Sequence, residues 1–227
     1  MNFPKQGMTK TMLLRQMQER KQADAKWQEG RTFSLVYHPA NDEIMQMVKD
    51  AYLLFFNENG LNPNAFPSLK KMENEVIAMC ADLFRGNENT CGSMTSCGTE
   101  SIFLALKTAR AWANKHKSYI KEPEIILATS AHPAFQKACH YLGIKAVVVP
   151  MDAKYRADMT SIWQAINRNT IMIIGSAPAY PHGVIDPIEK MAKLALENNL
   201  LLHVDACVGG FMLPFMEKLG YEVPAFD

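Results

Sequence analysis

The sequence predicts an α/β fold: a mostly parallel sheet with helices on both faces, preceded by a helical N-terminal segment. Two observations carry this. Four short apolar, β-rich runs (124–129, 145–149, 171–175 and 200–205) alternate with helical patterns at about 133–142, 159–167 and 187–198. Continuous apolar strands separated by amphipathic helices need cover on both faces, and a parallel sheet receives it from its crossover helices. The preceding residues show helical periods and loops, but no comparable series of strands. The expected division is therefore a helical arm over 1–89 and a sheet domain over 90–227.

The elements follow in order. Residues 8–27 form a polar, charged helix with apolar points at Met12, Leu13 and Met17, closed by Gly30. A short apolar piece, 33–37, precedes His38-Pro39. Asn41 then caps a helix that carries Ile44, Met47, Val48, Ala51, Leu54 and Phe55 on one side. Residues 57–67 (NENGLNPNAFP) are a loop by their Asn, Gly and Pro content, and long ordered loops often carry function. Ser68 opens a helix through Met72, Val76, Met79 and Leu83 that breaks at Gly86.

The stretch 91–110 (CGSMTSCGTESIFLALKTAR) turns abruptly from small and hydroxyl residues to apolar ones. Ile102, Phe103, Ala105, Leu106, Ala109 and Ala113 recur at helical spacing, so a helix starts near Thr99 and runs to about His116. Ser96 or Thr99 would cap it, and Glu100 favours its positive end. Small residues before a helix N-terminus let backbone N–H groups approach an anion, so 96–99 reads as a phosphate cradle. An ordinary capped helix after a turn has the same pattern. Neither the Walker nor the GxGxxG spacing is present.

Composition narrows the classes. A net charge of +1 with no long run of one sign gives no support to nucleic-acid or anionic-membrane binding. The hydrophobic fraction of 48% suffices for a core. Cysteines 80, 91, 97, 139 and 207 form no CxxC pair and fit reduced thiols in a cytosolic compartment. No apolar run reaches membrane-spanning length and the N-terminus lacks an apolar signal core. The expectation is a soluble, cytoplasmic protein, and export to act on another cell's lipids is compatible with the same features. The histidines show no metal-ligand spacing, so no metal is assigned; without HExxH or GxSxG, hydrolase chemistry has little support.

In parallel sheets ligands sit at the carboxyl ends of strands. Those ends carry Ser130-Ala131-His132, Ser176-Ala177-Pro178 and Asp205-Ala206-Cys207. A carboxylate there is costly to bury unless it meets a cation. A capping or salt-bridged aspartate fits that place; so does a partner for a protonated pyridine nitrogen, whose charged form a carboxylate favours. His132, just before Pro133, suits either a cap or a stack against a flat ring. A phosphate cradle, a ring stacker and a carboxylate for a ring nitrogen together describe a pyridoxal phosphate site.

At this point the chain resembles the sphingosine-1-phosphate lyases, a branch of the pyridoxal-phosphate decarboxylase-like family with the aspartate aminotransferase fold. The resemblance rests on 27–37 (WQEGRTFSLVY), 66–71 (FPSLKK), 94–101 (MTSCGTES), 130–135 (SAHPAF), 175–178 (GSAP), 181–187 (PHGVIDP), 203–210 (HVDACVGG), LPFMEKLGY and the final VPAFD. It implies the large domain of a pyridoxal-phosphate-dependent transferase fold, with Cys97, Gly98 and Thr99 holding the cofactor phosphate. It also implies that His132 stacks on the pyridine ring, that Asp205 pairs with its nitrogen, and that both serve the chemistry. Tyr37, Asn59 and Asn62 would lie near the substrate across the interface of a homodimer. The activity implied is carbon–carbon (aldehyde) lyase chemistry on a phosphorylated sphingoid base, giving a long-chain aldehyde and phosphoethanolamine.

Two residues depart from the family pattern. Cys97 stands where TSGGTES has glycine, which matters if that backbone needs a positive φ. Asn62 stands where the family's LHPD has histidine, and it cannot carry charge. The family's Schiff-base lysine, in a THK motif, and its C-terminal small domain would follow Asp227. The chain therefore reads as an N-terminal portion, inactive by itself, and Lys218 is not assigned the lysine's role. The rival readings are an amino-acid decarboxylase (carboxy-lyase) of the same fold and a non-catalytic truncated or split partner protein.

Overall fold

The computed structural model describes residues 3–32, 38 and 41–226. Two compact units succeed one another along the chain, 1–58 and 59–227. The first contains helix α1 (Lys10–Lys21), a single 3-10 turn at Trp27–Glu29 and helix α2 (Asp42–Leu54). Thr9 caps α1 and Asn41 caps α2, the latter through Oδ1 accepting the Ile44 N–H at 3.0 Å. Neither helix has a buried residue. The apolar piece expected at 33–37 lies outside the described residues, and Tyr37 with it.

The second unit carries helices α3 (Pro67–Leu83), α4 (Gly98–His116), α5 (Ala134–Leu142), α6 (Met159–Ala165), α7 (Ile188–Glu197) and α8 (Leu213–Lys218). Its strands are β1 (Glu124–Ala128), β2 (Lys145–Val149), β3 (Thr170–Ser176) and β4 (Leu201–Asp205). Among the described residues they form one fully parallel sheet in the order β2-β1-β3-β4. The parallel, doubly covered sheet expected from the alternating pattern is therefore present, with every strand within a residue or so of its expected place. Helix α8 is an addition: its six residues are too few to show a period.

Strand alternation divides the core. Ile125 and Leu127 face one layer with Ile102, Leu106 and Ala109 of α4 and Phe135 and Ala138 of α5. Ile126, Ala128 and Ile173 face the other layer with Ile162 of α6, Met191 and Leu194 of α7, and Leu213 of α8. Leu106, Ile125, Ile126 and Phe135 are fully buried, and each such side chain contributes roughly 1.5–3 kcal/mol of burial. Strand order reverses between β1, which leads through α5 to β2, and β3, which leads through α7 to β4. Such a reversal opens a crevice at the carboxyl ends of the strands.

Two close packings fix that end of the sheet. Buried Asp186 accepts the Ala157 N–H at 2.7 Å and the Ser176 N–H at 2.9 Å, joining the segment after β2 to the tip of β3. Gly209 lies so close to the tip of β3 that a Cβ there would sit 2.1 Å from the Ala177 carbonyl oxygen. Only glycine allows the turn after β4 to pass at that distance.

Candidate functional site

A cleft of about 530 Å³ opens where the carboxyl ends of the strands meet the N-terminus of α4. Cys97, Gly98, Thr99 and Ser101 line it from α4, His132 from the segment after β1, and His203, Asp205 and Cys207 from β4 and its extension. Five of the expected site residues, Cys97, Gly98, Thr99, His132 and Asp205, are thus brought together. Asn59 and Asn62 are not. Asn59 Oδ1 accepts the Leu61 N–H at 3.1 Å and Asn62 Oδ1 the Asn64 N–H at 3.0 Å, so both side chains close local turns. Asn59 also borders a separate pocket with Phe66, Leu69 and Met72.

The N-terminus of α4 differs from the expected capping. Cys97 is the N-cap, with no side-chain cap hydrogen bond. Ser96 does not cap the helix; its backbone N–H and its hydroxyl both donate to the Glu100 carboxylate, at 2.7 and 2.6 Å. Glu100 is thereby tied back to Ser96, and these bonds pull its pKa down. Thr99 accepts no capping bond either; it lies inside the helix, and its hydroxyl makes no hydrogen bond among the described residues. Cys97 has φ −172°, extended backbone that any residue adopts, so the exchange of the family's glycine for cysteine strains nothing. The Glu100 backbone N–H, and after it the Ser96 hydroxyl, draw the exposed Cys97 thiol below its ordinary range. A Cβ at position 98 would lie 3.8 Å from the Cys207 sulfur, an ordinary contact distance, so Gly98 and Cys207 adjoin one another at this wall of the cleft.

On the sheet side, alternation puts Leu201, His203 and Asp205 on one face of β4, toward the layer of α4 and α5. Asp205 Oδ1 accepts the Cys207 N–H at 3.1 Å, and the carboxylate makes no ion pair among the described residues. His132 Nδ1 accepts the Ala134 N–H at 3.1 Å. That bond takes up the N–H of the first helical residue of α5, whose N-cap is Pro133, and orients the imidazole with Nδ1 as acceptor and Nε2 as donor. Ser130 Oγ, at the end of β1, is buried without a partner among the described residues. Burial lowers the pKa of half-buried His203, against a smaller opposing pull from Asp205. Burial, and then Asp205, raises that of Cys207.

The pyridoxal-dependent decarboxylase conserved domain matches residues 4–227. The chain belongs to the pyridoxal-dependent decarboxylase family. Within this family it is 43% identical over 221 residues to mouse sphingosine-1-phosphate lyase 1, covering 97% of the chain and 38% of that protein. It is 44% identical over 222 residues to the Arabidopsis thaliana sphingosine-1-phosphate lyase, covering 95% of the chain and 40% of that protein. The solved structure of Burkholderia pseudomallei K96243 sphingosine-1-phosphate lyase superposes with a TM-score of 0.92 at 37% identity, over 100% of this chain and 54% of that one. The chain thus spans roughly two fifths of the length of these curated relatives.

The family's cofactor is pyridoxal phosphate, and the donor set of the cleft suits it. Backbone N–H groups at a helix start and an unpaired threonine hydroxyl favour an anion at one end. An unpaired carboxylate favours a cation at the other, and a fixed imidazole borders the space between. Sequence reasoning left out His203, Ser101, Cys207 and Phe211, which also line the cleft. For His203 the signal was present: it stands two residues before Asp205 on a strand, which means the same face.

Proposed function

We propose that this chain holds pyridoxal phosphate in the cleft, and that the full-length protein is a carbon–carbon lyase acting on a phosphorylated sphingoid base. The products would be a long-chain aldehyde and phosphoethanolamine. The observation that carries the cofactor reading is the convergence of Asp205, His132 and the α4 N-terminus on one cleft at the strand ends. The likeness to proteins named sphingosine-1-phosphate lyase, at 43–44% identity across almost the whole chain, supports the substrate class.

Each residue has a task in this reading. The N-terminus of α4, from Gly98 on and with Thr99 offering its hydroxyl, holds the phosphate. Cys97 contributes backbone, and its side chain replaces none of the donors. His132, locked by its bond to the Ala134 N–H, covers a ring face and excludes water from it. Asp205 keeps the proton on the ring nitrogen. A charge pair at contact distance is worth about 4 kcal/mol at an effective protein permittivity, against about 1 kcal/mol in water, so partial burial strengthens this restraint. Pyridoxal phosphate, once bound, supplies the electron sink for the pair released when the carbon–carbon bond breaks.

Asn59, Asn62 and Tyr37 are assigned to the substrate side, contributed across the interface of a homodimer. Asn62 can donate a hydrogen bond to a phosphate or hydroxyl there, but it cannot relay a charge as histidine does. No helix among the described residues is long and apolar enough to cross a membrane. The reading places the enzyme in the aqueous phase of the cytoplasm.

The test is a comparison of products. Full-length protein loaded with pyridoxal phosphate should release a long-chain aldehyde from a phosphorylated sphingoid base, and no carbon dioxide from glutamate or aspartate. Carbon dioxide release without aldehyde would replace the lyase by an amino-acid decarboxylase. Release of neither product, with the cofactor bound, would leave a binding protein.

A further inference from the structure

His203 stands apart from the residues already given a task. It lies on β4 opposite Ile174 of β3, on the same strand face as Asp205, and it borders the cleft. Fully buried Phe135 of α5 holds its ring edge-on, with centroids 5.6 Å apart and planes at 67°. The imidazole is therefore fixed by packing alone, and its ring nitrogens make no hydrogen bond among the described residues. The His203 nitrogens are not among the buried unpartnered atoms, so they reach the solvent of the cleft; a ligand that displaces this solvent leaves them short of a hydrogen bond, at a cost on the order of 1–3 kcal/mol, unless it supplies one itself. Burial disfavours the charged ring, which spares Asp205 a competing cation. The other titratable groups bordering the same space are Asp205, His132, Cys97 and Cys207, with neither lysine nor arginine among them.

We propose that His203 is a further cofactor contact in this cleft, its ring nitrogen completing a hydrogen bond to bound pyridoxal phosphate beside Asp205. This inference rests on the cofactor reading above. It predicts that size and packing at position 203 are separable from hydrogen bonding. His203→Phe keeps an aromatic ring against Phe135 and removes the bond; His203→Gln keeps a donor and an acceptor.

The experiment titrates full-length protein with pyridoxal phosphate, following absorbance, and measures thermal melting without cofactor as a check on folding. Affinity should fall about tenfold in His203→Phe and stay within about threefold of the parent in His203→Gln. In the unaltered protein, labelled imidazole nitrogens of His203 should shift on cofactor addition. Parent-like affinity in His203→Phe overturns the inference, as does an imidazole resonance indifferent to the cofactor. Should His203→Phe fail to fold, the resonance decides. An unaltered protein that does not bind pyridoxal phosphate at all overturns the cofactor reading itself, so the two failures are distinct.

Discussion

At the scale of single residues, environment sorts chemically identical groups. Cys97 and Cys139 are both free thiols, yet the first is exposed beside the Glu100 N–H and the second is buried on the inner face of α5. Burial pushes Cys139 up to about 11, whereas Cys97 is drawn below its ordinary value. The thiolate is the reactive form, so a small alkylating reagent near neutral pH should label Cys97 first and leave Cys139 untouched in the folded protein. Peptide mapping after a short exposure checks this; equal labelling of the two would contradict the placement of Cys97. Added pyridoxal phosphate should slow the labelling of Cys97, because its residue borders the proposed phosphate position. The sequence made Cys97 conspicuous as a replacement for glycine, but its consequence was not legible there. A strained backbone was one reading, and only the extended φ of −172° removes it.

At the scale of elements, the same alternation that marks a strand decides which side chains share a face. The sequence was most legible where period and length agree. Residues 145–149 are the strand β2, and Asn41 is the cap of α2. It was least legible where a short element is held by tertiary contact. Helix α8 contains Pro214 in its first turn and follows Gly209, which packs against Ala177. The capping of α4 also escaped the sequence, because Ser96 and Glu100 satisfy one another instead of the helix end. Asp186 shows how a motif residue serves an element junction. Asp186→Ala should destabilise the fold by about 2–4 kcal/mol, since two buried N–H groups lose their acceptor and removing a buried charge offsets only part of that. Burial raises the Asp186 pKa above its ordinary 3.8, so the folded state holds this proton more tightly than the unfolded chain. Its contribution is therefore fully present below about that ordinary value and declines as the pH rises through the raised pKa. Denaturant titrations of both proteins at matched pH should show their difference narrowing from acid toward neutral; a difference that widens would reverse the assignment.

At the scale of the whole molecule, the residues of the cleft come from three places far apart in sequence: the start of α4, the segment after β1, and β4 with its extension. The order of the strands brings them together, and the sequence disclosed it through four apolar runs and the residues at their ends. Asn59 and Asn62 do not line that cleft within one chain, where their side chains close local turns; the proposal assigns them to a second copy because the family resemblance implies sites built from two subunits. The central claim is that the Asp205 carboxylate keeps a proton on the ring nitrogen of bound pyridoxal phosphate. The most direct measurement is nuclear magnetic resonance of cofactor labelled with the heavy nitrogen isotope at that ring position, bound to the full-length protein and to Asp205→Asn. The account predicts a protonated nitrogen in the first and a deprotonated one in the second at neutral pH; a deprotonated nitrogen beside the unaltered Asp205 would contradict it.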